Sequence, residues 1–261
     1  MRLRSRLDYV YAVGRVRALE RGLMQSSMFR EATEEKDFSS ALKVIFDRGS
    51  FSKDWSDIKE ISELDEILKY EEVQLNKTVF ELMLDEEFLK IIELIDRPQE
   101  ALLSAEKSGN MFMTGYIRHS IDLGNLKTFL RCKYLGQHAD SLKDRLQEGG
   151  YIEGKVFIDN YELSFSEFRE KLHVSPYKDL WEEVTDALAE KDTFIVMERG
   201  FEDFLMDYLH RARYIVFGPE PVFAFALARK RELRLIRLVA TGKVNQIPTG
   251  MIKERISETY V

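Results

Sequence analysis

Six basic side chains, Arg229, Lys230, Arg231, Arg234, Arg237 and Lys243, fall within the stretch FALARKRELRLIRLVATGK at 225–243 of a chain whose formal net charge is −7. Basic residues at that density can hold phosphates, whether of a nucleic acid, a nucleotide or a lipid surface, or the acidic groups of a protein. The spacing discriminates between these. On a helix turning 100° per residue, Lys230, Arg234 and Arg237 lie within about 60° of one another. Phe225, Ala228, Leu233, Leu235, Ile236 and Val239 cover most of the remaining circumference. A helix buried nearly all round with one narrow cationic stripe suits a crevice or socket, whereas a nucleic-acid helix presents a broader basic face to open solvent. Arg17 with Arg21, and Lys127 with Arg131, repeat the four-residue spacing elsewhere.

Other chemistries fit less well. Gly242-Lys243 would close a phosphate-binding loop only with a glycine five residues before Gly242 and a Ser or Thr after the lysine. Those places hold Arg237 and Val244, so Gly242 reads instead as the residue that ends the helix. Asp203, Asp207 and His210 share a helix face, but helical metal sites draw a Glu-x-x-His from two helices. No second copy exists in the sequence, so an ordinary acidic face is expected there and no metal or other cofactor. Cys132 sits among apolar residues and reads as a buried structural thiol. None of these residues forms a catalytic constellation, and a non-catalytic protein without a small-molecule substrate is expected.

The elements that must position these residues are helices. Residues 61–97 place Ile61, Leu64, Leu68, Leu75, Val79 and Leu82 on one face at three- and four-residue spacing, predicting one long helix or a pair ended by Pro98. Gly109, Gly149-Gly150 and Gly218-Pro219 mark further ends. VSPYKDLWEEV predicts a helix capped by Ser175 with Pro176 in its first turn. The one strand-like stretch is KVFIDNYELSF, at 155–165. An all-α fold is expected. No run approaches the ~18 apolar residues of a membrane span, and the basic start lacks the apolar core of a secretion signal. A single cysteine fits a reducing compartment.

Charge is segregated. Residues 54–100 hold 15 acidic and 5 basic side chains, while 221–237 hold 5 basic and 1 acidic and 1–21 hold 6 and 2. An acidic arm beside basic helices lets different places dock partners of opposite sign, or pairs internally.

Three segments read alike: GRVRALERG at 14–22, GNLKTFLRC at 124–132 and RELRLIR at 231–237. Their basic residues Arg17, Lys127 and Arg234 stand 110 and 107 residues apart, and LKDRL at 142–146 recurs 110 residues later as IKERI. A repeated helical unit is implied, with a first repeat carrying the acidic arm at 1–110, a second at 111–220 and a truncated third at 221–261. Such units can form a pseudo-three-fold body whose equivalent helices face one axis.

The stretch from Gly218 to Ile256 resembles the end of the C subunit of prokaryotic V/A-type ATPases, known as the d subunit in the eukaryotic vacuolar enzyme. Glu220, Pro221, Ala228, Arg229, Glu232, Leu233, Arg234, Ile236, Arg237, Gly242 and Lys243 all fall on that family's pattern. Asp122, Asn125, Lys127 and Arg131 match its D-x-x-N-x-K-x-x-x-R segment, followed by GGYI at 149–152. Tyr9, Tyr11, Arg15, Arg17 and Leu23 match its opening helix. The resemblance implies an all-helical, pseudo-three-fold, non-catalytic rotor part of funnel or socket shape. It implies partners in the central stalk and the membrane proteolipid ring, and a peripheral place on the cytoplasmic face, in service of proton or sodium transport. The chain is shorter than the family's usual members, so a shortened body is expected, in line with the truncated third repeat. On this reading Arg17, Lys127, Arg131, Lys230, Arg234 and Arg237 line the stalk socket. The alternative is a helical binder of nucleic acid or an acidic surface, against which the acidic arm and an isoelectric point near 5.4 weigh.

Overall fold

The computed structural model describes residues 4–53, 55 and 58–261; Arg2 of the basic start and Asp54 and Asp57 of the acidic arm lie outside the described residues. The described residues are helical, with no strand among them. They form two compact units, Met1–Ile92 with Glu202–Val261, and Glu93–Phe201.

In the first unit a 3-10 turn at Arg6–Tyr9 leads into α1 (Val10–Glu20), followed by α2 (Ser26–Ala32), α3 (Phe38–Arg48), α4 (Ile61–Leu82) and α5 (Glu86–Glu93). Asp37 caps α3 by accepting from the Ser40 N–H at 2.9 Å. Glu63 folds back to accept from the Lys59 and Glu60 N–H groups at the start of α4. The 61–97 stretch is thus a pair of helices before Pro98, and Leu64, Leu68, Leu75, Val79 and Leu82 are buried as their spacing predicts. Ile61, in the first turn, is exposed.

The second unit contains α6 (Pro98–Ser108), α7 (Met111–Tyr134), α8 (Ala139–Lys143), α9 (Gly154–Asp159), α10 (Phe165–Lys171) and α11 (Lys178–Lys191), and α12 (Ile195–His210) begins in it. Pro98 occupies the first turn of α6, and Gly109, at φ 67°, ends it in the left-handed conformation. The core here is aromatic. Phe129 stacks on Phe168 at 4.2 Å, and Phe157, Tyr161 and Trp181 close round it. Cys132 is buried.

Two sequence readings are corrected in this unit. The strand-like stretch at 155–165 lies across α9 and the start of α10, because Phe157 reaches the Phe129 cluster from a helical turn; tertiary packing overrides β propensity. The start read at Ser175 and Pro176 comes later, at Lys178. The Ser175 hydroxyl donates to the Leu172 carbonyl instead of capping, and Tyr177 is the residue before the first turn.

The first unit resumes with a 3-10 turn at Arg211–Tyr214, α13 (Glu220–Val244) and α14 (Thr249–Arg255). α13 is the central element: Leu235, Ile236 and Val239 share one core with Phe29, Leu42, Ile45, Leu64 and Leu68 of α2, α3 and α4. Gly242 does not end this helix, as the sequence reading has it, but lies buried within it. A Cβ there would stand 2.6 Å from Cδ1 and 2.8 Å from Cγ1 of Ile252, so the glycine admits α14 against α13. The left-handed residue after α13 is Gln246, at φ 52°. Gly242→Val therefore lowers stability by about 1–3 kcal/mol, the cost of overpacking a close contact, measured as a shift in the urea midpoint at unchanged slope.

Candidate functional site

The structure bears out the burial pattern read for the basic helix. Between Glu220 and Ala240, every residue of α13 is buried except Lys230 and Leu238, which are half-buried, and Arg234 and Arg237, which are exposed. The stripe is therefore the single polar opening along this stretch, and its three cations differ in what they hold. Lys230 Nζ reaches the Ile92 carbonyl in the last turn of α5, at 3.5 Å, where a cation meets the negative end of the helix dipole. Arg237 pairs with Asp65 of α4 at 2.8 Å, with both side chains more than half exposed. An ion pair so exposed holds its partners only weakly. Arg234 makes no hydrogen bond or ion pair among the described residues, and stands in solvent on α13, the central helix of its unit.

The remaining predicted residues hold bonds inside the chain. Arg17 pairs with Glu20 at 2.7 Å and donates through Nη2 to the carbonyls of Ala212, Arg213 and Ile215. In the second unit, Lys127 and Arg131, one turn apart on α7, each reach a different oxygen of Glu198 on α12, both at 2.6 Å.

The basic residues of α13 on its other faces carry structural roles that spacing did not reveal. Arg229 donates to Glu232 Oε2 at 2.7 Å and to the Ser50 carbonyl at 2.7 Å, and lies 3.7 Å from Glu71. Glu71 accepts from the Ser52 N–H and hydroxyl and from Trp55 Nε1, while Glu232 accepts from the Met24 N–H. Burial pushes the Glu232 carboxyl up, against the pull of Arg229 and the Met24 N–H. A cleft of about 170 Å³, with Leu23, Ser52, Leu75 and Phe225 among its walls, opens over Arg229 and Glu71, whose charges are already bonded within the fold. Arg231 binds Ser257 Oγ through Nε at 2.8 Å and pairs with Glu202, fixing the segment after α14.

The matched segment of α7 is also a structural device. Asp122, fully buried, accepts from the Tyr151 and Ile152 N–H groups at 3.0 Å each and from the Tyr177 hydroxyl at 2.8 Å. Asn125 both donates to and accepts from the Gln147 backbone, at 2.8 Å each way. A Cβ on Gly150 would stand 2.1 Å from Asp122 Oδ1, which explains the glycine in GGYI. Of the Asp203, Asp207 and His210 face, Asp207 lies 3.4 Å from His210 Nδ1, while Asp203 accepts from the Glu258 N–H. No helix of the described residues is long and apolar enough to cross a membrane.

Comparison with known proteins places these features. The C subunit of the A-type ATP synthase of Desulfurococcus sp. (strain SY) is 26% identical over 159 residues, covering 60% of this chain and 42% of that protein. The C subunit of the V-type sodium ATPase of Enterococcus hirae is 26% identical over 140 residues, covering 54% and 42%. The C subunit of the A-type ATP synthase of Halobacterium salinarum is 24% identical over 257 residues, covering 90% of this chain and 69% of the relative. The first two matches thus span about two fifths of their relatives' length. The family model described as ATP synthase (C/AC39) subunit matches residues 99–255, a span that takes in both the Asp122 clamp and the Arg229–Arg237 helix, and the chain belongs to that family.

Proposed function

We propose that the chain is a non-catalytic rotor subunit of a V/A-type ATP synthase or ATPase. It joins the central stalk to the membrane proteolipid ring in proton or sodium transport, from the cytoplasmic face. The observation that supports this best is Arg234: an exposed guanidinium, without an internal partner among the described residues, on a helix buried over most of its surface and braced by Arg229 and Arg231. A rotor part must transmit torque without yielding, and a charge set on the unit's central helix delivers load to the core directly. On this reading Lys230 and Arg237 flank the contact. Arg17 in segment 1–110, and Lys127 with Arg131 in segment 111–220, take the places in their repeats that correspond to Arg234 in the truncated third, 221–261. A partner carboxylate reaches them by sharing their bonds with Glu20 and Glu198.

The test is co-elution with the central-stalk subunits from the same source, by size exclusion at moderate salt. A stoichiometric complex is expected. Arg234→Glu, which leaves every internal bond intact, weakens it by about 10- to 100-fold, equivalent to roughly 1.5–3 kcal/mol for a lost charge-assisted contact. A folded Arg234→Glu protein that binds the stalk as well as the native one overturns the socket assignment.

A further inference from the structure

A second surface of the first unit carries a different signature. Along α1 and the turn before it, Leu7, Val10 and Tyr11 are exposed on one face, with Leu7 at 63% and Tyr11 at 73%. Gly14 and Ala18 continue that face as exposed small residues. The segment 212–217 runs back alongside. Arg17 holds its carbonyls at Ala212, Arg213 and Ile215, and Arg6 donates to the Phe217 carbonyl at 2.7 Å while pairing with Glu220. This strap presents Tyr214, Val216 and Phe217 beside α1, Tyr214 at 87% and Val216 at 65% exposure. Six large apolar side chains are thus held open to water on two neighbouring elements, the second with its backbone pinned by arginines of the first. Soluble surfaces seldom leave so many together without an occupant.

The rim is cationic. Arg4, Arg15 and Arg21 are exposed and their side chains have no partner among the described residues, while Arg213 on the strap and Arg211 just before it are exposed and lie over the rings of Tyr260 and Tyr208. The nearby carboxylates are engaged: Asp8 caps Ser5, Glu20 is held by Arg17 and Glu220 by Arg6. In a chain of net charge −7, an apolar face with a collar of exposed arginines is locally complementary to one chemistry, hydrocarbon under negative headgroups. Tyrosines carrying a polar tip on an apolar ring suit that boundary. We propose that this face lies on an anionic bilayer surface, with Leu7, Tyr11, Tyr214 and Val216 entering the headgroup layer and the arginines meeting phosphates. No spanning helix is needed for such contact, and the stripe of Arg234 is not part of it.

The experiment is vesicle flotation of the full chain with phosphatidylcholine alone and with an equimolar mixture of phosphatidylcholine and phosphatidylglycerol. The native protein floats with the anionic vesicles at least about tenfold better than with the neutral ones, and loses that preference near 0.5 M salt, where the screening length falls to about 4 Å. Two folded variants each lose about tenfold: Tyr11→Ser with Val216→Ser, and Arg15→Glu with Arg21→Glu. Arg234→Glu floats like the native protein, so failure here is distinguishable from failure of the stalk assignment. Equal flotation with both vesicle types at low salt, or unchanged flotation of the two patch variants, overturns the proposal and assigns the face to a protein partner.

Discussion

Arg229→Met destabilises the first unit by about 3–5 kcal/mol, because it removes one charge from a buried set and leaves the others behind. The side chains of Arg229, Glu232 and Glu71 are 10%, 2% and 3% exposed. Arg229 is the one cation of this cluster, at 2.7 Å from Glu232 and 3.7 Å from Glu71. Burial already pushes the Glu232 carboxyl up, and without the guanidinium only the Met24 N–H opposes that push. A carboxyl whose folded-state pKa is raised favours the fold only while protonated, so its contribution is lost as pH rises through the carboxylate range. The deficit of Arg229→Met relative to the native chain is therefore largest at neutral pH and shrinks toward pH 4. Thermal melts followed by circular dichroism at the two pH values measure this, with a drop of about 10 °C at neutral pH. Neutralising the orphans as well, with Glu71→Gln and Glu232→Gln in the Arg229→Met background, recovers part of the loss. A drop of the same size at both pH values would mean that lost packing, not stranded charge, carries the effect.

What was legible in the sequence and what was not follows from the range of the forces. The burial of α13 and of one face of α4 could be read because apolar periodicity is local and the core simply completes it. The division of labour among the six basic residues of α13 could not. Arg229 finds Glu71 across 158 positions and Arg231 finds Ser257 after a turn, and periodicity is silent on distant partners. A signal did exist: Arg229, Arg231 and Glu232 fall on faces whose neighbours at three- and four-residue spacing are mostly apolar, where a charge must be paired to be buried at all. The misread strand at 155–165 and the misread end at Gly242 have one cause. β-branched residues and glycine have local habits that distant contacts override: Phe157 is claimed by the Phe129 cluster and Gly242 by Ile252. The D-x-x-N segment stands out through its resemblance to the family's pattern, yet that Asp122 and Asn125 hold a loop emerges only once residues 147–152 are folded against α7.

That loop clamp carries the second large effect. Asp122→Ala leaves the Tyr151 and Ile152 N–H groups, each 3.0 Å from its carboxylate, without that acceptor, and takes from the Tyr177 hydroxyl one partner while the 2.6 Å contact with His119 Nδ1 remains. Two part-buried donors stranded in this way cost about 1–2 kcal/mol each, so a loss of about 2–4 kcal/mol is expected after local relaxation. Asp122→Asn keeps the volume and one carbonyl oxygen and loses less, and it also separates charge from shape. Burial raises the Asp122 carboxyl, against the hydrogen bonds from Ile152, Tyr177 and Tyr151. The native chain therefore binds more protons than its unfolded state just above the ordinary aspartate range, and its stability falls as pH rises through that window. Asparagine does not titrate, so the native advantage over Asp122→Asn is greater near pH 4 than at pH 7. Urea titrations of both proteins at the two pH values decide it. An advantage that instead grows with pH would mean that the three hydrogen bonds, favouring the carboxylate, outweigh its burial. The loop would then be held by charge, and Asp122 would be ionised throughout the pH range in which the protein works.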